Sequence, residues 1–83
     1  MHLMVLYDIR GDRVRSRVAD ACLDFGLRRI QYSAYLGEID PKWRDELEQR
    51  LEKIMADSAG RIHVAALPRD VVADIERLGR GLK

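Results

Sequence analysis

Leu3-Met4-Val5-Leu6-Tyr7-Asp8 is the stretch that decides the fold. It is an unbroken run of apolar strand formers that ends on a carboxylate, with Gly11 three residues later. That pattern reads as a buried β-strand running into a turn. Side chains alternate along a strand, so Leu3, Val5 and Tyr7 share one face and Met4 and Leu6 the other. Both faces are apolar, as expected of a strand covered on both sides.

Downstream the rhythm changes. Val14, Val18, Ala21, Cys22 and Phe25 recur at helical spacing, with Asp12 placed to cap the start and Gly26 to end the helix. Residues 29–39 alternate again, with Ile30, Tyr32, Ala34 and Leu36 set against Gln31, Ser33 and Tyr35. They form either one long strand or two short ones split by a turn near Tyr32 and Ser33. Asp40-Pro41 opens a second helix, whose expected buried stripe is Trp43, Leu47, Leu51, Ile54 and Met55. Residues 62–67 form a last apolar strand, stopped by Pro68. The tail, residues 69–83, is either a helical turn carrying Val71, Val72 and Ile75 or a short strand over residues 75–78. The order predicts an α+β, ferredoxin-like βαββαβ domain spanning residues 1–83, with an antiparallel sheet and two helices on one face. Two helices cover only one face of that sheet. The other is expected to pack against a second copy, giving a homodimer.

Composition agrees with a small soluble partner-seeking domain. The chain has 83 residues, 47% hydrophobic and 35% charged, with a net charge of +1. A core this small is marginal alone. Near-neutral charge means that any anion-binding face is local. Cys22 is the only cysteine, which excludes an intrachain disulfide and suits a reducing cytoplasm. No apolar run is long enough for a membrane span. No Walker loop, dinucleotide fingerprint or nucleophile–base triad is present.

Asp8 is the first candidate for chemistry. A carboxylate at a rigid strand end suits a hard cation such as Mg2+, and in a twofold dimer two Asp8 side chains can face each other across the seam. The competing explanation is a turn-forming Asp bonded to nearby amides. The basic set comprises Arg10, Arg13, Arg15, Arg17, Arg28 and Arg29. Arg13 and Arg17 share a face near the amino end of the first helix, where the macrodipole favours acids. Phosphate binding explains them; so does a solvated face paired with Asp12, Asp20 and Asp24. Tyr35 is placed either to stack on a base or to pack. Cys22 reads as inert packing and Trp43 as core.

Taken together, Leu6-Tyr7-Asp8-Ile9, Arg15-Ser16-Arg17-Val18-Ala19, Gly26-Leu27-Arg28-Arg29-Ile30-Gln31-Tyr32-Ser33-Ala34-Tyr35-Leu36-Gly37-Glu38 and the tail Leu78-Gly79-Arg80-Gly81 resemble the "Cas-two" family of small CRISPR-associated adaptation proteins. The resemblance implies a ferredoxin-like homodimer in which the tail, residues 69–83, adds a short strand to the partner subunit. It implies a magnesium-dependent endonuclease acting on single-stranded RNA or double-stranded DNA. It further implies assembly with the CRISPR integrase in spacer acquisition, largely as a scaffold. By position, Asp8 is the metal ligand and catalytic residue, with Tyr7 beside it. Arg13 belongs to the same basic face; Arg15, Arg17 and Arg29 contact nucleic acid or support the site, and Tyr35 stands where the family often has Phe. One carboxylate per subunit fits weak activity rather than rapid turnover. Binding through phosphates is expected to tolerate any sequence.

Two other readings share the architecture. Virulence-associated D toxin ribonucleases have a similar strand-end Asp, but the Gly26–Ser33 run favours the adaptation family. A ferredoxin-like small-molecule regulatory module explains a dimer but not the clustered arginines.

Overall fold

A computed structural model of the chain describes residues 1–80, with side chains described through residue 75. The elements run β1 (His2–Asp8), α1 (Asp12–Asp24), β2 (Arg28–Gln31), β3 (Ala34–Glu38), α2 (Pro41–Met55), β4 (Arg61–Leu67) and α3 (Arg69–Arg80). The sheet order is β2-β3-β1-β4, with every neighbouring pair antiparallel. This is the ferredoxin-like arrangement. The crossover through α1 returns the chain parallel to β1 one position away, and β3 fills the gap.

Residues 29–39 take the split form. Tyr32 and Ser33 make the turn between β2 and β3, and the ladder slips between Arg29 and Gln31. Leu3, Val5 and Tyr7 point to the helices and are buried with Val18, Ala21 and Cys22 of α1 and Leu47, Leu51 and Ile54 of α2. The Cys22 thiol is fully buried and its pKa is pushed up to about 12 by that burial. It is packing, as its place in the stripe predicts.

The helix ends follow local chemistry. The α1 N-cap is Gly11, not Asp12 as expected from sequence, and no side chain caps it. Asp12 lies in the first turn and pairs with Arg15 one turn on, which takes its carboxylate away from the backbone. Its charge still complements the helix dipole. At the other end, Gly26 sits at φ 85°, its N–H bonds Leu23 O at 3.0 Å and the Leu27 N–H bonds Cys22 O at 3.0 Å, a Schellman closure. In α2, the Asp40 carboxylate accepts from the Lys42 N–H at 3.1 Å and Pro41 opens the helix.

Trp43 departs from expectation. It is 45% exposed, under the Lys42 ammonium at 5.4 Å, rather than in the core. It shares the stripe of Leu47 but lies in the first turn of α2, where the stripe runs past the layer below. The tail takes the helical alternative through residue 80, and no strand forms over residues 75–78 in this chain. Residues 81–83, with Gly81 of the tail signature, lie outside the described residues. Val72 of α3 is buried and closes a cavity of about 300 Å³ with His2, Leu36 and Glu38. So α3 covers the His2–Leu36 end of the second sheet face. The other end, with Leu6 43% exposed, stays open. Among the described residues, no helix is long and apolar enough to cross a membrane.

Candidate nucleic-acid interface

Asp8 is the last residue of β1. Alternation from the buried Leu3, Val5 and Tyr7 puts its side chain on the open face with Met4 and Leu6. It is exposed, and its carboxylate has no hydrogen-bond or ion-pair partner among the described residues. The turn-forming explanation for this residue is therefore not realised. Arg61 stands opposite it in the β1·β4 ladder, also exposed, and His63 stands opposite Leu6. Sequence reading passed over Arg61, because only the register of β4 brings it to Asp8.

Gly60 sets the position of Asp8. At φ 144° it occupies a region that side chains rarely adopt, and a Cβ there would lie 2.9 Å from the Asp8 carbonyl oxygen and 3.1 Å from Ile9. Gly60→Ala is expected to cost about 1–3 kcal/mol. That corresponds to a fall of roughly 4–24 °C in melting temperature for a domain of this size. A melting curve unchanged by the substitution would contradict the close approach.

Among the described residues, no three His, Cys, Asp or Glu side chains converge as a metal cluster. In one chain Asp8 is a single oxygen donor. That is compatible with Mg2+, which takes one or two carboxylates and keeps several waters.

Tyr7 and Asp8 are neighbours in sequence but point to opposite faces of the sheet. The Tyr7 ring is buried and stacks on Tyr35 with centroids 6.3 Å apart and planes 20° apart. Burial pushes the Tyr7 hydroxyl up to about 12, with Tyr35 and Cys22 adding to it and Arg29 opposing. It stays protonated at neutral pH and is no base. Tyr7 and Asp8, expected side by side in one site, thus stand on opposite faces of the sheet within one chain. Tyr35 likewise packs: it is 3% exposed, opposite Val5 in the ladder and Arg29 on β2, and offers no face to a base.

The exposed aromatic of the sheet is Tyr32, which the sequence grouped with the apolar side of its strand. It is 64% exposed at the β2–β3 turn. The guanidinium groups of Arg15 and Arg29 lie 5.3 and 5.1 Å from its ring centroid. Tyr7 donates from its hydroxyl to the Tyr32 carbonyl at 3.4 Å and from its N–H to the Ser33 carbonyl at 3.0 Å, which pins the turn to β1. Arg15 also donates to the carbonyls of Ile9 at 3.0 Å and Arg10 at 3.2 Å, so it braces the loop after Asp8. Arg13 and Arg17 are exposed without an ion pair among the described residues. Asp12 is taken by Arg15, and Asp24 by Arg50 at 2.7 Å, so these acids do not neutralise them.

The profile of the family "CRISPR associated protein Cas2" matches residues 1–75. The chain is 37% identical over 79 residues to the "CRISPR-associated endoribonuclease Cas2 2" of Pyrobaculum aerophilum, covering 95% of this chain and 87% of that one. It is 64% identical over 39 residues to the protein of the same description from Chloroflexus aurantiacus, covering 47% of this chain and 46% of that one. The chain thus spans about half the length of some relatives it matches. A "CRISPR-associated endonuclease Cas1/endonuclease Cas2 fusion" of Thermoproteus tenax is 45% identical over 53 residues, 64% of this chain and 20% of the fusion. The fold matches the crystal structure of Streptococcus pyogenes Cas2 with a TM-score of 0.79 at 24% identity, over 89% of this chain and 94% of that one. With the profile spanning most of the residues, and the strand-end Asp and arginine-bearing α1 in place within it, the chain belongs to the CRISPR-associated Cas2 family.

Proposed function

We propose that two copies of this chain pair through the open sheet face and handle nucleic acid in CRISPR spacer acquisition, with magnesium-dependent endonuclease activity centred on Asp8. The observation that carries this reading is the state of Asp8: an exposed carboxylate without a partner, beside exposed Leu6 on a sheet face that α3 covers only at the far end. Apposing two such faces buries Leu6 and brings two Asp8 carboxylates near one seam. The two Asp8 carboxylates would hold Mg2+ there, which would supply a bound water of lowered pKa and Lewis-acid stabilisation of the phosphate. The chain's own residues do the rest. Arg61 lies next to the Asp8 end, where it can neutralise phosphate charge. Arg13, Arg17 and Arg29 hold the backbone by its phosphates, and Arg15 keeps the loop after Asp8 rigid. The nuclease names of the relatives and the Cas1 fusion support this reading and support the CRISPR integrase as partner. β2 and β4 are the two edges of the sheet, each open to an added strand, but the strand expected from residues 69–83 would have to come from a segment that is helical through residue 80 in this chain.

Backbone recognition makes a salt prediction. The logarithm of affinity should fall linearly with the logarithm of salt concentration, by about 0.9 per neutralised duplex phosphate. Replacing Arg13 and Arg17 by Ala should lower that slope by roughly 1–2, whatever the sequence bound. Binding measured by fluorescence anisotropy across salt tests it. An unchanged slope would assign these arginines to a solvated face.

A further inference from the structure

We propose that Tyr32, flanked by Arg15 and Arg29, is a stacking platform for an unpaired nucleobase, so that this cleft takes single-stranded rather than fully paired nucleic acid. The inference rests on the nucleic-acid reading above and adds to it which strands the cleft selects.

Among the described residues Tyr32 is the most exposed of the large hydrophobic side chains, at 64%, yet Tyr7 holds its turn at two carbonyls, that of Tyr32 and that of Ser33. A surface aromatic on a pinned turn loses little freedom when something stacks on it. Two cations lie about 5 Å from the ring centroid and differ in commitment. Arg15 is fixed by two carbonyls and Asp12. Arg29 donates only to the Gln31 carbonyl, at 3.4 Å, and has no acidic partner among the described residues. A charge-assisted bond to phosphate is stronger than an exposed cation–π contact. An arriving backbone phosphate therefore draws Arg29 off the ring and opens that face to the attached base. Beside the ring is an open cleft of about 160 Å³, lined by Tyr7, Arg15, Ser16, Ala19, Arg29 and Tyr35. Bases inside a duplex already stack on each other and offer no free face, whereas unpaired bases do. Stacking discriminates little among bases, which agrees with sequence-tolerant binding.

The test compares three probes at one salt concentration: a single-stranded RNA, a single-stranded DNA and a blunt duplex closed by a hairpin. Each is titrated with the unaltered protein, Tyr32→Ala and Tyr32→Phe. Tyr32→Ala should weaken both single strands by about tenfold or more. The loss on the duplex should be several times smaller. Tyr32→Phe keeps the ring and should bind all three probes like the unaltered protein. Equal losses on single strands and duplex, no loss on single strands, or a Tyr32→Phe variant as weak as Tyr32→Ala would overturn this inference alone. Failure of the unaltered protein to bind any probe would overturn the nucleic-acid reading along with it.

Discussion

Leu6→Glu is expected to turn the proposed homodimer into a monomer without unfolding the chain. Leu6 is 43% exposed in the single chain, so a polar residue there costs the fold little. In the proposed dimer it lies at the seam, where a desolvated carboxylate costs on the order of 2 kcal/mol or more. Twofold symmetry brings the penalty in twice. The sum, about 4 kcal/mol, weakens association roughly a thousandfold. Sedimentation equilibrium at micromolar concentration reads this directly. A dimer of undiminished affinity would place the interface elsewhere, for instance on the β4 edge.

Asp8→Asn is expected to remove metal-dependent cleavage by at least about a hundredfold, close to 3 kcal/mol of barrier. The substitution keeps size and shape and removes the charge that a hard cation needs. Asp8 is exposed and makes no hydrogen bond among the described residues, so folding and pairing should be retained. Circular dichroism and sedimentation on the same preparation separate lost chemistry from lost structure. Binding of DNA and of the integrase, and spacer insertion, should survive if the chain serves there as a scaffold. Full cleavage by the variant would exclude Asp8 as an essential ligand. Loss of insertion with intact assembly would instead tie the chemistry at Asp8 to adaptation.

Most of the fold was legible because periodicity carries it. The apolar run of β1, the stripes of α1 and α2, the Asp40-Pro41 start and Gly26 stop each follow from a local rule, and apart from Trp43 at the head of the α2 stripe each stands where that rule puts it. Asp8 was legible as a strand end. What failed in the middle strands was the choice of face. Alternation read straight through residues 29–39 groups Tyr32 with Ala34 and Leu36 and sets Tyr35 on the polar side. Ala34 and Leu36 do share a face opposite Tyr35, but it is the Tyr35 face that meets Val5 in the core under the helices, while Tyr32 leaves the strand at the turn and projects into solvent. Tyr35 therefore takes the packing alternative, and Tyr32, grouped with the apolar side, is exposed. Arg61 depends on the β1·β4 register, and Val72 on the path of α3 across the sheet, and neither is a local property of the chain. Tyr7 shows the converse. Adjacency to Asp8 suggested partnership, but a strand turns adjacent side chains to opposite faces.

The most direct test of the account is the dependence of cleavage on magnesium and on pairing together. Initial rates on single-stranded RNA and on duplex DNA are measured per chain over a dilution series that crosses the dimer dissociation constant, with magnesium and with a chelator. If the site is completed by two Asp8 carboxylates at the open face, the rate per chain rises with the dimer fraction and vanishes in chelator. Cleavage that persists in chelator, or a monomeric Leu6→Glu protein that cleaves as fast per chain as the dimer, would contradict it.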